Sequence, residues 1–278
     1  MNFDYAVHSD FLIHWTGADI DERDKDNNLN WCKPDEDKSK TKCETESYIK
    51  RLYDILQFGL WMTVEDVEAL CFDGTSVSIP NTPRTCFTEL KVSESRKHAR
   101  QYGRLGIGVK RPFVFKRFGR PLIYYGFHEK LNNDKFLRAC AELDNKDLLN
   151  FFKPMNKSNN SLTYDFYAES EWRILFFQEL LKKDMIRDPR DPQNEKENKY
   201  FNELTIKEQA KLKYLIPLDG WFAMIIYPSL DVKNKAQQDD SIGIKQQIKR
   251  IKDLDDCGNR VEKKNWPIEV DLDACRNF

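Results

Sequence analysis

Residues 164–178 run Tyr-Asp-Phe-Tyr-Ala-Glu-Ser-Glu-Trp-Arg-Ile-Leu-Phe-Phe-Gln, with no glycine and no proline. Aromatic and branched side chains at this density favour an extended strand. Successive side chains of a strand point to opposite faces. Tyr167, Glu169, Glu171 and Arg173 therefore share one face, and Ala168, Trp172 and Ile174 the other, with Ser170 the polar exception. A strand this apolar belongs inside a sheet, which leaves two carboxylates partly buried. Burying a carboxylate is costly unless it is paired or used. Two readings follow. Either Arg173 neutralises Glu171 as a structural ion pair, or the two glutamates floor a cleft, where they can hold ribose hydroxyls or stabilise an oxocarbenium ion.

On either side, residues 11–16, 86–90, 106–116, 121–125 and 221–228 give further strands, from alternating or continuously apolar patterns. Within 105–116, two glycines and Pro112 mark a break. Between these runs lie helical patterns. Residues 47–61 repeat apolar side chains at i, i+3, i+4 and i+7 and end at Gly59. A basic helix follows Ser93 and ends at Gly103, and a basic amphipathic helix covers 241–254. Residues 64–71 and 129–152 read as helices too, and 153–163 as a loop. Strands and helices mix without a regular alternation, so the expected fold is α+β: a mixed, mainly antiparallel sheet with flanking helices. A single domain over 1–278 is expected, with exposed polar excursions at 19–47 and 187–200.

Composition narrows the function classes. Lys and Arg number 45 against 46 Asp and Glu, a net charge of −1, so no general attraction to nucleic acid or acidic membrane follows. Apolar runs are too short for a membrane helix. The first residues lack a signal-peptide pattern, so a cytoplasmic protein is expected. The seven cysteines are widely spaced, without a Cys-x-x-Cys, and there are only four histidines. Free thiols are expected, and no metal site. The acidic run 19–37 lacks the glycine of a calcium loop and places Arg23 at a ligand position.

Other residues could carry chemistry. His14 lies in an apolar strand next to Trp15, Thr16 and Gly17, as a core histidine or as a ligand contact. Gly103, Gly106 and Gly108 follow a helix and precede a strand, the reverse of a dinucleotide fingerprint, so tight packing explains them better. Residues 96–120 gather Arg96, Lys97, His98, Arg100, Arg104, Lys110, Arg111, Lys116, Arg117 and Arg120. They form either a solvated face or a groove for the phosphates of a dinucleotide, RNA or DNA.

Taken together, His14-Trp15-Thr16, Tyr53-Asp54-Ile55-Leu56, the block Cys86-Phe87-Thr88-Glu89-Leu90 with Ser95, His98, Tyr102-Gly103 and Gly106-Ile107-Gly108-Val109, and Glu171-Trp172-Arg173-Ile174 resemble the AbiGi family of abortive phage-infection proteins, over about residues 10–230. That family carries the label of antitoxin. More distantly, the order of elements is similar to the ADP-ribosyltransferase superfamily, including DarT-like DNA-modifying toxins. The resemblance implies NAD as co-substrate, with His14 and Thr16 on its ribose side and Thr88 or Tyr102 lining the nicotinamide pocket. It makes Glu171 catalytic, with Glu169 its partner, and requires no metal. The expected acceptor is a nucleic-acid base, reached through Arg96, Lys97, Arg100 and Arg104, with a toxin role in phage defence and an antitoxin protein as partner. The alternative is a non-catalytic antitoxin or sensor that uses its surface only to bind a partner protein.

Overall fold

The computed structural model describes residues 10–21, 38–64, 70–72, 75–89, 95–125, 142–155, 169–238, 243–252, 265–272 and 274. In chain order the elements are β1 (Phe11–Thr16), α1 (Lys38–Phe58), β2 (Leu60–Thr63), β3 (Leu70–Phe72), β4 (Thr75–Val77), β5 (Arg84–Thr88), α2 (Ser95–Tyr102), β6 (Leu105–Lys110), α3 (Arg111–Lys116), β7 (Arg120–Pro121), β8 (Ile123–Tyr125), a 3-10 turn (Lys146–Phe151), β9 (Phe152–Pro154), β10 (Glu171–Leu175), α4 (Gln178–Lys182), α5 (Glu195–Asn202), α6 (Ile206–Lys211), β11 (Leu212–Ile216), β12 (Phe222–Tyr227), α7 (Leu230–Gln238), α8 (Ile244–Lys252) and β13 (Ile268–Asp271). The fold is α+β, with mixed and mostly antiparallel strand pairing. The chain forms two compact units: Met1–Leu60, Phe87–Phe113 and Pro217–Phe278 make the first, Trp61–Cys86 and Val114–Ile216 the second.

In the first unit, β1 runs antiparallel to β6 from Phe11↔Lys110 to Thr16↔Leu105. Its Ile13 also faces Thr88 at the end of β5. On the far side of β6 lies β12, antiparallel with an irregularity between Phe222 and Met224. Next comes β13, parallel to β12 from Met224↔Ile268 to Tyr227↔Asp271. Every residue of β12 is buried, as its unbroken apolar run requires of a strand covered on both faces. Ile13 and Trp15 pack with Ala99, Met224, Ile226 and Leu272. Helix α1 buries Tyr48, Ile49, Leu52, Ile55 and Leu56 along one stripe, and Gly59 ends it at φ 112° with its N–H on the Ile55 carbonyl. Gly103 ends α2 in the same way, at φ 107°. Any Cβ there would sit 2.3 Å from the Thr16 carbonyl oxygen, so the position is closed to other residues twice over.

In the second unit, β10 pairs with β5 and β7, with Trp172↔Pro121 and Arg173↔Arg120 in register on the β7 side. Thr63 of β2 faces Arg84 of β5. Strands β8 and β9 form a parallel pair from Ile123↔Phe152. Leu122, Phe151 and Leu175 form a core with Tyr124, Leu148 and Phe177 packed on it.

Several expectations are corrected. The strand over 164–178 is confined to Glu171–Leu175. Ser170 has φ 44°, which turns the backbone just before it, so Glu169 does not belong to the strand. Tyr167 and Ala168 lie outside the described residues. The strand expected over 106–116 stops at Lys110, and Arg111–Lys116 is helical. Pro112 sits in that helix's first turn, where its missing N–H costs nothing. Helix α1 begins at Lys38, well inside the expected excursion 19–47. Of the helix expected at 64–71, residues 65–69 lie outside the described residues and Leu70 opens β3. The helix expected at 129–152 falls partly outside them too, and its end is a 3-10 turn leading into β9, so Lys153 and Pro154 are strand rather than loop. The segment 187–200 is not wholly a loop: Glu195 begins α5, and Glu197 and Phe201 are buried. There the amides of Asn194 and Asn198 bond the carbonyls of Asp188 and Pro189, so polar side chains order a stretch that composition alone reads as solvated.

Candidate functional site

The charged cluster of the second unit is built on β10. Alternation along this strand puts Glu171 and Arg173 on one face. The Arg173 Nε–H donates to Glu171 Oε1 at 2.6 Å, and Nη1 donates to the Asn150 carbonyl at 2.5 Å. Lys153 on β9 completes the set. Its ammonium donates to Glu171 Oε2 and to Glu169 Oε2, both at 2.6 Å. The Tyr124 hydroxyl accepts the Glu171 N–H at 2.9 Å. Behind it, fully buried Asn150 donates to the Pro80 carbonyl and the Thr82 hydroxyl, and Thr82 donates to Asp147 at 2.7 Å.

Two carboxylates face two cations, so the buried charge is balanced. Glu171 is 7% exposed. Burial alone would raise its pKa, but Arg173 and then Lys153 hold it well below the carboxylate range, to about 2. Burial, followed by the Glu171 charge, pushes the Cys86 thiol up to about 12. Burial works against the Lys153 ammonium, yet Glu171 and Glu169 more than offset it and raise its pKa. Glu171 and Lys153 are therefore both held in their charged forms, and each Glu171 oxygen already meets a cation.

The remaining expected site residues lie in the first unit. His14 is half-buried on β1, opposite Ile107 in register, with its ring edge-on to Phe87 at 5.9 Å. Thr16 accepts from Arg51 Nη1 at 3.1 Å. Thr88 is buried opposite Ile13. Tyr102 is 37% exposed, near the His98 ring. Arg100 is exposed in the last turn of α2. Arg96 and Lys97 lie on α2 with side chains outside the described ones. Arg104 departs from its expected role. Its guanidinium turns inward, bonding Asp21 at 2.8 Å and Glu44 at 3.1 Å, beside a Tyr48 hydroxyl that donates to Asp21 at 2.5 Å. Arg104 is thus a structural tie between the turn after β1, helix α1 and β6, not a free phosphate ligand.

No family model, curated protein or solved structure matches the chain.

Among the described residues, no helix is long and apolar enough to cross a membrane, and no group of three or more His, Cys, Asp or Glu is placed to hold a metal ion. Sequence reasoning missed Lys153, Tyr124, Cys86 and Asn150. Only Lys153 left a signal, as a lone cation between two phenylalanines and a proline, Phe151-Phe152-Lys153-Pro154.

Proposed function

We propose that this chain acts by binding rather than by turnover, as an antitoxin or sensor component of the abortive-infection kind that its sequence resembles. One observation carries the reading: both oxygens of Glu171 are in 2.6 Å ion pairs, with Arg173 and Lys153. A carboxylate that stabilises an oxocarbenium ion must offer its charge to the substrate. Here a buried cation, Arg173, and a partly buried one, Lys153, already take it up. Removing one partner of a buried pair leaves an uncompensated charge and destabilises by about 3–5 kcal/mol. Glu171→Gln should therefore lower the melting temperature sharply, and labelled NAD incubated with the protein and cell extract should give no transfer above background.

The second reading is an NAD-dependent ADP-ribosyltransferase with Glu171 catalytic, Glu169 its partner and a nucleic-acid base as acceptor. What favours it is that Glu171 is held ionised at every physiological pH, the state in which it can meet positive charge as nicotinamide departs. Label transfer by the wild type, reduced roughly 10²–10³-fold in a Glu171→Gln variant of unchanged melting temperature, would establish this reading and end the first.

A further inference from the structure

Helix α3 and the turn that follows it leave two phenylalanines in solvent. Phe115 is 45% exposed and Phe118 38%. Phe118 has φ 58°, a left-handed conformation that a bulky side chain rarely adopts. The turn enforces it through hydrogen bonds from the Arg117 and Gly119 N–H groups to the Val114 carbonyl and from the Phe118 N–H to the Phe115 carbonyl, all at 2.9–3.1 Å. A strained backbone that holds an apolar ring out in water is a reason to look for a ligand.

The surroundings say which ligand. Each ring has a cation over one face: the Arg120 guanidinium lies 5.8 Å from the Phe115 centroid, and the Lys183 ammonium 5.7 Å from that of Phe118. Lys116 and Lys182 are exposed on the same α3 turn and on α4. Residues 114–121 contain Lys116, Arg117 and Arg120 and no acidic residue. The rings are also fixed from below. Phe115 stands edge-on to Trp172 at 5.5 Å, and Phe118 edge-on to Phe177 at 6.0 Å. Trp172 belongs to the face of β10 opposite Glu171 and Arg173, so this surface is separate from the charged cluster.

We propose that the Phe115–Phe118 turn is a docking surface for a single-stranded polynucleotide, whose unpaired bases stack on the two rings while Lys116, Arg120, Lys182 and Lys183 meet its phosphates. Stacking on an aromatic ring with cations alongside is how single strands are held without sequence preference. A paired duplex hides its base faces and cannot use the rings. An acidic protein surface would use the cations but gain little from two exposed phenyl rings. The surface stands whichever reading of Glu171 holds.

Fluorescence anisotropy tests it, with the full chain and labelled oligouridylate and oligothymidylate of about 12 nucleotides, a length within the usual site size. Binding to one or both is expected, weaker for the duplex and falling steeply between about 50 and 200 mM salt. Phe115→Ala and Phe118→Ala should each lower affinity roughly 5- to 100-fold, with the circular dichroism spectrum unchanged, while Phe118→Tyr retains binding. No binding to either oligonucleotide, affinity unaffected in the double alanine variant, or equal affinity for the duplex each overturns the proposal. Binding of an acidic protein instead of either oligonucleotide does so too.

Discussion

Glu171 shows how one residue's surroundings set its role. Its sequence neighbours say only that Arg173 is within reach on the same strand face. The fold adds Lys153 on the other oxygen, and the pair becomes a four-charge cluster with Glu169. Because its folded pKa lies below the ordinary value of 4.5, Glu171 contributes its full stabilisation above 4.5 and loses it as pH falls from there to about 2. Urea melts over that range should therefore show stability declining towards pH 2, with a shallower slope in Glu171→Gln; parallel slopes would mean that Glu171 is not the group titrating. Cys86 gives a second check. With its thiol pushed up to about 12, almost none is thiolate at neutral pH, and thiolate is the reactive form. Mass spectrometry should find Cys86 unmodified by iodoacetamide in the native protein and alkylated once urea is added.

Elements were legible where their ends are written in backbone chemistry. Gly59 and Gly103 mark the ends of α1 and α2 in the sequence, and both hold positive φ in the structure. Gly103→Ala should cost about 2 kcal/mol or more, because alanine is strained in the left-handed region and its Cβ would meet the Thr16 carbonyl oxygen at 2.3 Å. A calorimetric melting temperature within a degree of wild type would show that the turn can relax. A capping box closes the N-terminus of α6, with Thr205 accepting from the Glu208 N–H, so Thr205→Ala should cost about 0.5–2 kcal/mol by the same measurement. Elements were illegible where a propensity was outvoted. Phe113, Val114 and Phe115 read as strand residues, yet they continue from Pro112 into a helix, because β-propensity chiefly reports a fit to a half-buried pleated surface. Ser170 cut β10 short for a related reason: nothing in a period-two pattern forecasts a residue in the left-handed region.

For the molecule as a whole, protection from solvent should follow strand position. In the first unit β6 is paired on both sides, by β1 and β12, and β12 by β6 and β13. Native-state hydrogen exchange should find the slowest amides of that unit in Leu105–Lys110 and Phe222–Tyr227, where opening needs the largest unfolding; faster exchange there than in α7 would contradict this. Hydrophobic pattern alone is enough for the α+β class, the buried stripe Tyr48–Leu56, the apolar strands read at 11–16 and 221–228, and the α8 stripe Ile244, Ile248 and Ile251. All of these follow from hydrophobic period, which each segment carries within itself. The partners of the charges, by contrast, come from the packed fold alone. Arg104 meets Asp21 across 83 positions and Glu171 meets Lys153 across 18. A charged side chain reads the same in sequence whether it ends in water or against an opposite charge. The difference lies in which distant segments the packed core brings within hydrogen-bond reach, and the low-dielectric interior then makes that contact obligatory.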